Sequence, residues 1–285
     1  METGRVIKSY NSFFYVQIEN ELLACRIRGK LKKTRHGDGS VCPGDIVEIS
    51  RLPDGTGVVE RPLKRKNLLR RPAVANIDQV VLTFAAAEPD LHPLLLNRFL
   101  VLAEWSGIPS ILLCLNKMDL AKRPDLLSAY ESLYPVLRVS AFRQEGLEEL
   151  KNHLSDKVTV FAGPSGVGKS SLLNAVDERL TLATGNVSEK IRRGRHTTRA
   201  AELLPYAGGY IVDTPGFSAM ELTGLEETEL AFCFPEFRPY LGKCRFSTCT
   251  HSHEPDCAVK EAAEKGLLLP ERYEAYLSIL GTVHK

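Results

Sequence analysis

The string from Gly163 to Ser170, GPSGVGKS, constrains this chain more than any other feature. It fits G-x-x-x-x-G-K-[ST] in full, follows the apolar run VTVFA and opens a helical stretch, SSLLNAV. A strand, a glycine-rich turn and a helix in that order point backbone N–H groups at phosphate oxygens, and the helix N-terminus adds partial positive charge. Gly163, Pro164, Ser165, Gly166, Val167, Gly168, Lys169, Ser170 and Ser171 are therefore the expected phosphate-binding residues. Lys169 should reach the β- and γ-phosphates and Ser170 should coordinate Mg²⁺. The plain alternative is a glycine-rich strand–helix turn with no ligand.

Such a unit belongs in a parallel sheet. The runs VVLTFAA (80–86), ILLCLN (111–116), VLRVS (136–140), VTVFAG (158–163) and YIVDT (210–214) are apolar and often β-branched, with helical stretches such as LLLNRFLVLAEWSG between them. Continuously apolar strands alternating with helices predict a parallel sheet covered on both faces.

NKMD (116–119) closes ILLCLN. A carboxylate at Asp119 can accept from both the N1–H and the 2-amino group of guanine, donors that adenine lacks in that place. A site built to bond a group strongly rejects ligands without it. Asn116 would bond the base edge and tie the loop together, and Lys117 would lie along the base plane. Alone the string is weak, because these residues are common in loops. Two further strings support it. Ser140 and Ala141 follow the next strand, where guanine-binding domains set a backbone N–H against the base oxygen. Asp213-Thr214-Pro215-Gly216 fits D-x-x-G, with Asp213 expected to hold Mg²⁺ through water and the Gly216 N–H to contact the γ-phosphate. GRHTTR (194–199) supplies Thr197 and Thr198 for a first switch.

The order is base reader, Ser-Ala, phosphate loop, switch threonine, D-x-x-G, a cyclic rotation of the usual one. Termini of compact domains often lie close together, so a re-cut chain can rebuild the same site.

Residues 1–72 carry fifteen Lys/Arg against eight Asp/Glu, or +7, so residues 73–285 of this +2 chain carry −5. The runs FFYVQI, LLACRIR, DIVEIS and TGVVE between Gly, Asp, Asn and Pro predict a small antiparallel barrel, an OB-fold ahead of an SH3-like one. RIRGKLKKTR (26–35) and RPLKRKNLLRR (61–71) each hold six basic residues and no acid. Blocks of one sign repel themselves, so nucleic-acid contact is favoured over a solvated loop and linker.

Of seven cysteines, Cys25, Cys42 and Cys114 are scattered in apolar surroundings and Cys233 reads as core. Cys244-x4-Cys249-x-His251-x5-Cys257 offers three thiolates and an imidazole, a good set for tetrahedral Zn²⁺, with His253 a rival ligand and reduced buried cysteines the plain alternative. No apolar secretory segment or bilayer-length run is present, which leads us to expect a cytoplasmic protein with no membrane contact.

The permuted order, preceded by a small basic barrel and followed by a Cys/His string, resembles the ribosome small-subunit-dependent GTPase A family of bacteria (RsgA, also called YjeQ). NKMD, VSA, GPSGVGKS, GRHTT, DTPGF and the C-x4-C-x-H-x5-C string carry the resemblance over nearly the whole chain. It implies an α/β architecture: an OB-fold RNA-binding domain (1–68), a circularly permuted P-loop GTPase domain (69–222) and a zinc-binding helical domain (223–285). It implies GTP/GDP, Mg²⁺ and Zn²⁺ as ligands, the 30S subunit and its 16S rRNA as partners, a monomer, and a role in late small-subunit maturation. It also favours His251 over His253. Arg199 stands where the family has a third threonine; Thr198 is taken as the Mg²⁺ ligand, with Thr197 second. Phe217 stands where Ras-like GTPases carry a water-orienting Gln, so slow intrinsic hydrolysis and partner activation are expected, with His196 the catalytic candidate beside Lys169 and Thr198. His196 alternatively contacts rRNA or the protein surface. The rival readings are a permuted GTPase of the large subunit, an RNA-binding module with a passive nucleotide site, and a P-loop kinase. The missing barrel-plus-zinc arrangement in large-subunit relatives, the intact Lys169, Ser170 and Asp213, and Asp119 argue against them in turn.

Overall fold

The computed structural model describes residues 1–28, 40–70, 72–180, 201–213, 222 and 224–283. His196, Thr197, Thr198, Arg199, Gly216, Phe217 and most of the 26–35 basic run lie outside them. The chain divides into two compact units. One is Met1–Val80 with Leu147–Phe161 and Ser170–Phe217; the other is Val81–Gly146 with Ala162–Lys169 and Ser218–Lys285.

The first unit begins with a closed barrel of β1 (Glu2–Tyr10), β2 (Phe13–Ile18), β3 (Glu21–Ile27), β4 (Ile46–Arg51) and β5 (Gly57–Pro62). The strand order is β1-β2-β3-β5-β4, and β4 returns antiparallel to β1. The barrel has the expected OB-type arrangement; it departs from a purely antiparallel one at the β3–β5 pair, which is parallel, with Arg26 opposite Val58. Alternation puts Val6, Val16, Leu23, Cys25, Val47, Ile49 and Val59 inside, each at most 4% exposed. The sequence pattern gave four of these strands and missed β1. A bulge between Val6 and Lys8 breaks its period of two, so Val6 and Ile7 are both buried.

The second basic run, 61–71, is less available than its sequence suggests. Arg65 turns inward, donating to both carboxylate oxygens of Asp45 (2.7 and 2.8 Å) and to the Ser40 carbonyl (2.6 Å). Arg61 pairs with Glu48 and Lys66 with Asp78. The segment is also pinned as a hairpin of β6 (Leu68–Arg70) and β7 (Ala73–Ala75), where Asn67 and Asn76 side chains satisfy the backbone of Ile77 and Lys66.

The central sheet comprises β8 (Gln79–Ala85), β9 (Ser110–Asn116), β10 (Val136–Arg138), β11 (Val158–Ala162), β12 (Glu202–Tyr206) and β13 (Gly209–Asp213) in the order β10-β9-β8-β11-β13-β12. β10–β9 and β11–β13 are parallel as expected; the unforeseen β12 is an antiparallel edge. Every residue of β8 and β11 is buried, which explains their unbroken apolar character. The helices α1 (Pro93–Trp105), α2 (Leu147–Leu154) and α3 (Lys169–Val176) alternate with the strands.

In the second unit the chain ends in α4 (Glu227–Leu230), α5 (Ala258–Glu264) and α6 (Pro270–Val283) around an aromatic core. Phe234 lies 5.0 Å from Phe237 and 5.3 Å from Tyr276, centroid to centroid. Cys233 is 4% exposed in that core, as expected. Arg272 of α6 is fully buried beneath it. Its guanidinium grips both oxygens of Glu236 (2.6 and 3.1 Å), donates to Asn97 of α1 (2.7 Å) and lies 4.4 Å over the Phe234 ring. No helix among the described residues is long and apolar enough to cross a membrane.

Candidate functional site

Asn116, Lys117, Asp119, Ser140, Ala141 and the turn Gly163–Lys169 all belong to the second unit. Asn116 ends β9 with 1% of its surface exposed. Its Nδ2 donates to the Val167 carbonyl (3.0 Å), and its Oδ1 accepts the Ala141 N–H (3.1 Å). One amide therefore ties the reader strand to the phosphate loop and to the Ser-Ala loop. Sequence reasoning gave Asn116 the base edge as well; in this structure both amide groups brace loops. The carboxylate of Asp119 is half-buried, and Oδ1 accepts from Ser140 Oγ at 2.6 Å. Met118 N–H bonds the Val139 carbonyl (3.1 Å), registering the two loops against each other. Lys117 takes φ +60°, and its Nζ donates to the Glu88 carbonyl.

Two glycines of the phosphate loop are required by space as well as by backbone. Gly163 has φ +142°, and a Cβ there would lie 2.0 Å from the Thr83 carbonyl oxygen on β8. Gly168 has φ +87°, and its Cβ would lie 2.6 Å from Asn116 Nδ2. Any side chain at Gly168 would push out the amide that braces the reader. Val167 is buried, Pro164 half-buried, and Ser165 and Gly166 form the exposed crest. Lys169 starts α3, and its Nζ donates to the Gly163 and Pro164 carbonyls (2.6 and 2.7 Å). Burial pushes the lysine pKa down to about 8. Ser170 is half-buried and Ser171 exposed on the same first turn. A cation held by its own loop's carbonyls at the start of a helix fits a phosphate chain. Ser170 supplies the hydroxyl that Mg²⁺ would need, and Asp213 closes β13.

Cys244, Cys249, His251 and Cys257 bring one ligand atom each to within 4.8 Å of one another. Cys244 Sγ lies 3.5 Å from His251 Nδ1 and 3.8 Å from Cys257 Sγ, and His251 Nδ1 lies 3.4 Å from Cys257 Sγ. A tetrahedral Zn²⁺ with Zn–S of about 2.3 Å and Zn–N of about 2.0 Å requires edges of about 3.8 and 3.5 Å. These edges match, so the residues fit zinc. The backbone at His251 takes φ +57°, and the His251 and Thr250 carbonyls are held by Tyr273 and Tyr276 hydroxyls of α6. His253 instead bonds its neighbour Ser252. Burial pushes the Cys249 thiol up to about 12 and depresses the His251 imidazolium, and a bound dication would favour the thiolate and the neutral imidazole.

The Glu88 carbonyl that receives Lys117, and the Val167 carbonyl that receives Asn116, were invisible in the sequence because any residue carries them.

A parallel sheet on which the guanine-reader strings precede the phosphate loop, behind an OB-type barrel, defines a circularly permuted P-loop GTPase. The RsgA GTPase family model matches residues 62–223, and the RsgA N-terminal domain model matches residues 3–59. "Small ribosomal subunit biogenesis GTPase RsgA" of Caldanaerobacter subterraneus subsp. tengcongensis is 43% identical, over 98% of this chain and 95% of that protein. The protein of the same description from Clostridium botulinum (strain 657 / Type Ba4) is 41% identical, over 97% and 96%. YjeQ from Thermotoga maritima superposes with a TM-score of 0.85 at 38% identity, covering 99% of this chain and 98% of that one. YloQ, described as a circularly permuted GTPase, gives 0.81 at 37% identity, covering 100% and 95%. The chain belongs to the RsgA GTPase family and is a GTP hydrolase.

Proposed function

We propose that this chain is a cytoplasmic, monomeric GTPase that binds the 30S subunit through its 16S rRNA and acts late in small-subunit maturation. The observation that carries the nucleotide reading is the brace from Val167 through Asn116 to Ala141, with Ser140 on Asp119. It makes base reader and phosphate loop one preorganised site. The small-subunit role is supported by the description that both relatives carry. Three parts divide the work: residues 1–68 on rRNA, 69–222 on nucleotide, and 223–285 folded around zinc.

The N–H groups of Gly163–Ser170 cradle the α- and β-phosphates, Lys169 neutralises the β- and γ-phosphates, and Asp119 selects guanine. Ser170, Thr198 and Asp213 would hold Mg²⁺, which when bound would neutralise charge on the transferring phosphoryl group. Phe217 cannot polarise water, so His196 in the first switch orients it in the complex with the 30S subunit. Cys244, Cys249, His251 and Cys257 form a closed set that would make zinc structural.

GTP hydrolysis by the pure protein, with and without 30S subunits and with 50S subunits and ATP as controls, tests the proposal. Large GTP-specific stimulation by 30S alone is expected, and His196→Ala should lose it while keeping GDP affinity. Absent stimulation, or equal stimulation by 50S, refutes the small-subunit assignment.

A further inference from the structure

Phe142 is the most exposed aromatic side chain among the described residues, at 87%. Its loop is firmly built. Ser140 and Glu145 exchange both backbone hydrogen bonds (3.0 and 3.1 Å). Ser140 Oγ accepts the Arg143 N–H (3.0 Å) while donating to Asp119. Gln144 takes φ +59°, and Gly146 takes φ +72° where a Cβ would lie 2.5 Å from the Arg138 carbonyl oxygen. The preceding residue, Ala141, gives its N–H to Asn116. A large apolar side chain therefore stands on a braced turn, between Ala141, which bonds Asn116 of the guanine reader, and Arg143, which bonds the same Ser140 hydroxyl that holds Asp119.

Edge recognition by Asp119 leaves the two faces of a purine uncovered, and those faces are flat and apolar. Aromatic stacking covers such a face and gains affinity without reading base identity. We propose that Phe142 is a stacking wall of the nucleotide site, packing on the purine of GTP and GDP. The proposal rests on the nucleotide-site reading above and adds a division of labour. Asp119 chooses guanine among purines, and Phe142 raises affinity for the purine whatever its 2-substituent. The brace explains how an exposed ring can do this: the loop is ordered in advance, so binding orders only the side chain.

Calorimetry on the full chain without ribosomes tests it, with GDP and inosine diphosphate as titrants. Phe142→Ala should weaken both by the same factor, about tenfold for one lost stacking contact. Phe142→Tyr should restore both. Phe142→Trp should show indole fluorescence quenched by GDP, beyond any change in the Trp105 signal of the unmodified chain. GDP affinity within about twofold of the unmodified protein in Phe142→Ala overturns the proposal. A loss for GDP that spares inosine diphosphate overturns it too, because that marks an edge contact. Unchanged nucleotide affinity with weakened 30S binding would assign the ring to the subunit and likewise overturn it. Failure of the unmodified chain to bind GDP would instead remove the underlying nucleotide-site reading, and this proposal with it.

Discussion

The lysine of the phosphate loop should make nucleotide binding take up a proton. Lys169 is half-buried and, among the described residues, donates to the Gly163 and Pro164 carbonyls, and burial lowers its pKa from 10.5 to about 8. Phosphate oxygens favour the ammonium form, so the bound-state pKa rises well above 8. GDP binding should then take up about 0.1 proton at pH 7, about half a proton at pH 8 and about three quarters at pH 8.5. Affinity should fall with pH, by about twofold at pH 8 and about fourfold at pH 8.5 relative to its low-pH limit. The nucleotide-free fold responds with the opposite sign. The unfolded lysine holds its proton up to 10.5 while the folded one loses it near 8, so this group's contribution to stability rises with pH across that window. The assay is calorimetric titration of GDP in buffers of different ionisation enthalpy. Lys169→Arg is the reference, because a guanidinium does not titrate there. The difference between the two proteins cancels protons moved by nucleotide, Mg²⁺ and other groups. Equal proton uptake by Lys169 and Arg forms at pH 8 would refute the reasoning, and so would a flat affinity difference between pH 7 and pH 8.5.

Two further predictions concern the C-terminal part. The purified full chain should carry about one zinc ion, and its removal by a chelator should lower the unfolding midpoint by at least about 5 °C, the shift expected for roughly 2 kcal/mol in a unit of this size. A metal-free preparation with an unchanged midpoint would leave Cys244, Cys249, His251 and Cys257 as reduced core cysteines. Arg272→Met should destabilise by about 3–5 kcal/mol in denaturant titration, because it strands Glu236 and the Asn97 carbonyl oxygen in the core. Adding Glu236→Leu should recover much of that loss, and no recovery would mean that the cost lay in lost packing on Phe234 rather than in the unpaired carboxylate.

The sequence by itself determined the nucleotide-binding pieces and their order. The phosphate loop, NKMD and Ser-Ala are each written in a few contiguous residues. Their backbone roles follow from local chemistry: glycines that reach positive φ, a strand that ends at the reader, a helix that opens on Lys169. The Cys244–Cys257 set was legible for the same reason, since spacing within a short loop bounds how far the ligand atoms can separate. Tertiary structure alone decided what depends on distant partners. β1 was hidden by the bulge at Val6–Lys8, and β12 forms only because β13 offers it an edge. Arg65 looked like a free cation until the fold placed Asp45 against it, and nothing near Arg272 in sequence announces Glu236 or Asn97. That Asn116 ties loops together was expected from the sequence, but its partners Val167 and Ala141 were not, because they arrive from other segments of the chain. Charge, burial and hydrogen bonding at these positions are set by which segments meet, a property that no local string contains.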